Sequence, residues 1–104
     1  MTDAQISSMI ITDKLDLMRF GARFRLWQGI PSVAVTERGR IFCTFYSGGI
    51  KEQLGNYCVL KKCDGGVWSD VIASVYAGEN YRTYDPCLWV DPLKRLWWIF
   101  SVMP

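Results

Sequence analysis

The stretch Pro31-Ser-Val-Ala-Val-Thr-Glu-Arg-Gly-Arg-Ile-Phe-Cys-Thr-Phe45 decides the fold, because the chain writes it twice. It aligns without a gap on Pro86-Cys-Leu-Trp-Val-Asp-Pro-Leu-Lys-Arg-Leu-Trp-Trp-Ile-Phe100, at a constant offset of 55 residues. Pro31/Pro86, Val35/Val90, Arg40/Arg95 and Phe45/Phe100 are identical pairs, while Ile41/Leu96 and Phe42/Trp97 keep their character. The apolar residues in the first copy recur with a period of two, as strands require. A strand-built unit that returns after about 50 residues is the signature of a propeller blade.

Working outward, Val33 and Val35 share one face of a first strand, and Glu37-Arg38-Gly39 forms a turn. Ile41, Cys43 and Phe45 share a face of a second strand, with Phe42, Thr44 and Tyr46 on the other. The loop 47–55 follows, then a third strand from Asn56 to Lys62, the turn Asp64-Gly65-Gly66, and a fourth strand from Trp68 to Val75. Residues 30–76 therefore read as one antiparallel four-stranded blade, 77–85 as a loop, and 86–104 as the first two strands of the next. The expected fold class is all-β, with about one and a half blades. Repeat units need neighbours to bury their faces, and Trp97, Trp98, Ile99 and Phe100 would leave an open apolar edge. The expectation is the N-terminal piece of a longer chain whose remaining blades are its partners; several copies in a ring are the alternative. Residues 1–26 form a separate N-terminal segment: a loose stretch of eleven residues, then a short helix. Thr12 or Asp13 caps that helix, which runs through Leu15, Leu17, Met18 and Phe20 and stops at Gly21. An extended segment that lays Phe20, Phe24 and Trp27 over a neighbouring sheet fits equally.

Composition excludes several functions. Half of the 104 residues are hydrophobic and the net charge is only +2. Arg23, Arg25, Arg38, Arg40, Lys61 and Lys62 are scattered; they read as solvated surface and form no stripe of the kind nucleic acids demand. Histidine is absent, which removes the commonest general base and most catalytic zinc sites. The four cysteines, Cys43, Cys58, Cys63 and Cys87, show no metal-ligand spacing, so neither a metal nor another cofactor is expected. They read as reduced core residues, and the absence of a leader sequence or apolar span points to a cytoplasmic protein with no membrane partner.

Blade geometry sends Gln28-Gly29-Ile30-Pro31, 47–55 and 77–85 to one end, and Asp64 with Trp68 to the other. At the first end Glu52, Asp85 and Glu79 supply carboxylates, Lys51 and Arg82 positive charge, and Trp27, Tyr46, Tyr81 and Tyr84 planar surfaces. Carboxylates beside aromatic platforms suit glycoside chemistry. Each has an ordinary alternative. A loop Glu is usually only solvated, Asp85-Pro86 also caps a turn into a strand, and Arg82 pairs with any nearby acid. Trp89, Trp97 and Trp98 lie on strands and read as packing between blades.

From Trp27 to Pro104 the chain resembles the sialidase (neuraminidase) superfamily, six-bladed propellers with Asp-box (BNR) repeats. Gln28-Gly29-Ile30-Pro31 stands where that family has Phe-Arg-Ile-Pro. Aligned on Asp64, the family box Ser-x-Asp-x-Gly-x-Thr-Trp meets Lys62 at its Ser position, keeps Gly66 and reaches Trp68 one residue early. Tyr84-Asp85-Pro86-Cys87-Leu88-Trp89-Val90-Asp91 is similar to the family's opening of a second blade. The resemblance implies an exo-acting glycoside hydrolase with a carbohydrate substrate. Glu52 takes the place of the catalytic acid/base, and Lys51, Arg82, Tyr84 and Asp85 bind the sugar. It also implies that Gly29 cannot supply the arginine that clamps a sialic-acid carboxylate. The Tyr nucleophile and its Glu partner would lie in later blades, leaving this segment inactive by itself. A non-catalytic propeller that binds a glycan or a protein through the same loops is the competing reading.

Overall fold

The computed structural model describes all of the chain, Met1–Pro104. Most of it is antiparallel sheet. The first sheet has the order β1-β6-β4-β3-β2, with β5 paired to β4. Its strands are β1 (Ile10–Ile11), β2 (Trp27–Val35), β3 (Ile41–Gly48), β4 (Tyr57–Asp64), β5 (Val67–Trp68) and β6 (Ala73–Val75). A second sheet holds β7 (Arg82–Val90) and β8 (Leu96–Met103) alone. Consecutive positive φ angles at Gly65 and Gly66 (58° and 84°) turn β4 into β5, a backbone that side chains resist.

The sequence repeat is a repeat of geometry. β2 and β7 start and end 55 residues apart, and so do β3 and β8. The pair Ser32↔Thr44 becomes Cys87↔Ile99, and Val35↔Ile41 becomes Val90↔Leu96. Both hairpins carry a bulge at the same place, between Gly29 and Ser32 and between Tyr84 and Cys87. Their turns also match. The Thr36 N–H donates to the Arg40 carbonyl and the Asp91 N–H to the Arg95 carbonyl, each at 2.9 Å. Gly39 and Lys94 both have positive φ, 86° and 66°. One side chain separates the two turns. Thr36 makes a single 3.3 Å bond to the Arg40 carbonyl, whereas the Asp91 carboxylate accepts from Leu93 N–H, Arg95 N–H, Arg95 Nε and the Trp97 indole.

The second hairpin lies against one face of the first sheet. Trp98 Nε1 donates to Thr44 Oγ1 at 2.9 Å, and the Leu88 N–H donates to Ser32 Oγ at 3.0 Å. The Thr44 hydroxyl donates in turn to the Val59 carbonyl, and Thr83 donates to the Val75 carbonyl, both at 2.7 Å. Thr44 and Thr83 are fully buried, and pairing of this kind offsets the cost of removing hydroxyls from water.

The opposite face of the first sheet is covered in part, over β4, by residues 1–26, which depart from expectation. The first eleven residues are ordered. Thr2 and Gln5 form a capping box on α1 (Asp3–Met9), and β1 then pairs with β6. Asp13, the second of the two capping candidates, accepts from the N–H groups of Leu15 and Asp16 to start α2 (Lys14–Leu17). A 3-10 turn over Met18–Phe20 carries the chain on, and Gly21 ends it. Leu17 and Phe20 bury against Tyr57 and Val59, with the Phe20 and Tyr57 rings edge to face at 4.7 Å.

Three further expectations change. The fourth strand is interrupted: Ser69 Oγ accepts the Lys62 N–H at 3.0 Å, so a side chain takes a ladder position and pairing resumes only at Ala73. The segment 77–85 is not all loop, since β7 begins at Arg82. Arg25 is not solvated surface. Its Nη1 donates to the Phe20 carbonyl at 2.7 Å, its guanidinium lies 5.0 Å from the Phe45 ring, and burial lowers its pKa.

Candidate functional site

The starts of β2 and β7 lie side by side at one end of the molecule, crossed by the loop that follows β3. Tyr46, on β3, is fully buried there. Its ring meets that of Trp27 edge-on at 5.0 Å, and its hydroxyl accepts a 3.3 Å hydrogen bond from Arg82 Nη1. Trp27 and Arg82 occupy the same place in the repeat, the first residue of β2 and of β7. One repeat therefore presents a platform where the other presents a cation.

Arg82 is the hub. Its guanidinium lies 4.8 Å from the Tyr84 ring centroid, Nη1 stands 3.6 Å from Glu52 Oε1, and Nη2 reaches Met103 Sδ at 3.2 Å. The Tyr46 hydrogen bond, helped by the nearby Glu52 charge, raises its pKa above the ordinary arginine value. The charge is therefore permanent at this end, and it is only partly enclosed.

The loop that carries Lys51 and Glu52 is shaped by a residue the sequence reading treated as mere strand. Asn56 is buried. Its Oδ1 accepts the Gly49 N–H and its Nδ2 donates to the Lys51 carbonyl, both at 2.9 Å. Its own N–H reaches the Gln53 carbonyl and its carbonyl takes the Thr83 N–H, each at 3.3 Å. The Gly55 N–H adds a 2.7 Å bond to the Tyr81 carbonyl. One amide thus closes the loop on itself and ties it to β7 beside Arg82. Gly48, at φ 138°, leaves room for it; a Cβ there would collide with the Asn56 amide.

Of the expected site residues, Glu52, Arg82 and Tyr84 come together. Lys51 flanks Glu52 and lends its backbone carbonyl to the loop, and its ammonium forms no ion pair. Asp85 stands apart. It is exposed in the β7 bulge at φ 47° and joins neither the Glu52–Arg82 pair nor any side-chain hydrogen bond. Glu79 turns the other way and accepts from the Tyr76 hydroxyl at 2.5 Å. At the far end Asp64 pairs with Arg40 Nε at 2.5 Å and faces Lys62 at 3.7 Å, bracing the two turns. The Tyr46 hydroxyl, the Asn56 amide and Met103 belong to the cluster beyond the expected set. Only Asn56 left a signal, as a turn-prone Gly-Asn step ahead of the strand.

The arrangement offers a fixed cation, a carboxylate, a loop ammonium and aromatic faces on one surface. That set can take hydrogen bonds from and give them to a hydroxyl-rich molecule. No three Cys, Asp, Glu or His side chains gather as a metal site, and no helix is long and apolar enough to cross a membrane. Comparisons of the chain with protein-family models, curated proteins and solved structures find no match.

Proposed function

We propose that this chain is part of a sialidase-like β-propeller and that the end bearing Glu52, Arg82 and Tyr84 recognises a carbohydrate. The observation that carries the reading is the Arg82 hub, where a guanidinium bonded to Tyr46 stacks on Tyr84 and faces Glu52 across 3.6 Å. Sugars present apolar C–H faces and polar hydroxyl edges, and an aromatic ring beside a charged fork meets both needs. In support of propeller architecture stand two hairpins of the same register stacked face to face.

In the assembled glycoside hydrolase Glu52 serves as the proton-transferring group at the glycosidic oxygen or at water. Arg82 and Tyr84 orient the sugar, with Lys51 and Asp85 at the margin. A purely binding role has its own support. Glu52 is engaged by Arg82, Gly29 replaces the clamp arginine, and Asp85 does not approach as a second acid.

Two measurements test the reading. Titration of the protein with sialyllactose and with lactose, followed by amide chemical shifts, is expected to move the Gly49–Asn56 and Arg82–Tyr84 signals. Arg82→Ala is expected to abolish those shifts, and shifts unchanged by it would place the ligand elsewhere. Turnover of an aryl sialoside by protein that contains the completed ring, lost in Glu52→Gln with binding retained, separates the enzyme from the binder.

A further inference from the structure

The two hairpins meet through unlike faces, and each keeps its other face open. The contact joins Leu88 and Trp98 of the second hairpin to Ser32 and Thr44 of the first; Val90 and Leu96 share the face of Leu88 and Trp98, and Ala34 and Phe42 share that of Ser32 and Thr44. Translated by the 55-residue repeat, each set lands on an uncovered surface. The mates of Leu88, Val90 and Leu96 are Val33, Val35 and Ile41, and Val33 and Val35 are 60% and 55% exposed. The mates of Ala34, Phe42 and Thr44 are Trp89, Trp97 and Ile99, which are 52%, 45% and 49% exposed. Lys61, the ladder partner of Cys43, borders the first surface, and Arg95, 5.4 Å from the Trp97 ring, borders the second. Between these charges the exposed residues are apolar, and exposed apolar patches mark interaction sites.

We propose that a second copy of this chain docks its Val33–Val35–Ile41 face on the Trp89–Trp97–Ile99 face, repeating between molecules the contact that joins the two hairpins within one. The occupant is argued from that internal contact. Both halves of the new interface share strand bounds, bulge and register with the halves already packed together. The backbones match, and apolar pairs replace the hydrogen bonds of the internal contact: the mates of Trp98 and Thr44 are Cys43 and Ile99, and those of Leu88 and Ser32 are Val33 and Cys87. Leu17 and Phe20 lie over Tyr57 and Val59 on the central strand β4 and reach as far as Phe45 of β3, while Val33 and Val35 on the edge strand β2 stay exposed. The contact is head to tail and has no two-fold axis. It closes as a ring where the rotation allows and otherwise propagates. It rests on the propeller reading, with copies of this chain supplying the neighbouring blades, and shares no residue with the Arg82 cluster.

Sedimentation velocity on the whole chain tests the idea. Wild-type protein is expected above monomer mass, with larger species favoured at higher concentration. Val35→Glu removes the donating face and Ile99→Glu the receiving face, both at half-exposed positions where the fold tolerates a charge. Each variant alone is expected to be monomeric. Mixed in equal amounts they are expected to form one-to-one dimers, because each retains the face that the other lacks. Wild type that stays monomeric, or variants that associate alone, or a mixture that stays monomeric, would each overturn the proposal; the last outcome means isologous or unspecific contact. Circular dichroism checks folding, and Val33→Lys with Trp89→Lys provides a second pair should either first variant unfold.

Discussion

Ile30 and Asp85, 55 residues apart, hold the same left-handed backbone, φ 51° and 47°, each immediately before a proline. Both sit inside the bulge that interrupts the first strand of its hairpin. A β-branched residue is a poor occupant of that region, and aspartate a tolerable one. Each bulge lifts one residue out of the ladder, so Ser32 on β2 and Leu88 on β7 come to face each other, joined by the Leu88 N–H to Ser32 Oγ bond. Register is thus fixed twice by the same local distortion.

The strain predicts a stabilising substitution. Ile30 is 47% exposed, so the burial lost with its side chain is about half of a full isoleucine's and offsets part of the relief. Ile30→Gly is expected to raise unfolding stability by about 1 kcal/mol, by removing the Cβ conflict of a left-handed residue. Asp85→Gly is expected to gain less. Urea midpoints of the two variants decide; a loss at Ile30 would mean that its side chain packs in solution.

The Asn56 amide predicts a loss. Asn56→Ala removes two side-chain hydrogen bonds and leaves the Gly49 N–H and Lys51 carbonyl without protein partners. The expected destabilisation is about 2–3 kcal/mol, the usual scale for deleting a buried partner. Hydrogen exchange at Gly49 should accelerate well beyond the global change, since the loop bearing Glu52 loses its internal tie. Equal acceleration everywhere would deny Asn56 a local role.

What could be read beforehand follows from the range of the interactions involved. Alternation in Val33–Val35 and Ile41–Phe45 and the Gly39 and Gly65-Gly66 turns are local, and hairpins with known facing residues follow from them. The offset between Pro31 and Pro86 extended that reading to the second hairpin. Part of the ordered N-terminus was legible, since the Thr2–Gln5 capping box spans only three residues, whereas the β1–β6 pair depends on a strand more than sixty residues away, as Ile10↔Val75 shows. The interruption after Trp68 escaped because a Ser69 hydroxyl competes with the ladder, and composition does not report such competition. Topology alone puts Glu52 and Arg82 at one end, but their 3.6 Å pairing, with Arg82 held by the Tyr46 hydroxyl, depends on contacts between β3 and β7 that local pattern does not report. Asp85 looked like a site acid by its neighbours in sequence, and the bulge carries it out of the cluster.

The cysteines predict a sharp difference in reactivity. Cys58 is fully buried against the second hairpin, and burial pushes its thiol up to about 12, so it stays protonated at mildly alkaline pH. Cys87 is exposed on β7. Iodoacetamide on native protein should therefore modify Cys87 quickly and Cys58 only after denaturant is added. Mass spectrometry of tryptic peptides reads both. Early labelling of Cys58 would show that the hairpin contact opens readily.

Acid should act through Asp91. Its carboxylate is almost fully enclosed. The Trp97 indole first, and then the Arg95 and Leu93 donors, hold its pKa below the ordinary carboxylate range against the opposing effect of burial. The unfolded chain then binds a proton more readily than the native one. The stability this group contributes is complete above the unfolded value of about 3.9 and is lost as pH falls through the lower native value. Asp91→Asn keeps one acceptor but points an amide NH2 at donors on Arg95 and Trp97, so its urea midpoint should fall below wild type at pH 7. Below about pH 3.9 the gap should close, because only wild type loses a carboxylate there. A gap that is the same at pH 7 and pH 2.5 would assign the loss to packing and leave the Asp91 charge without a role in joining the turn to β8.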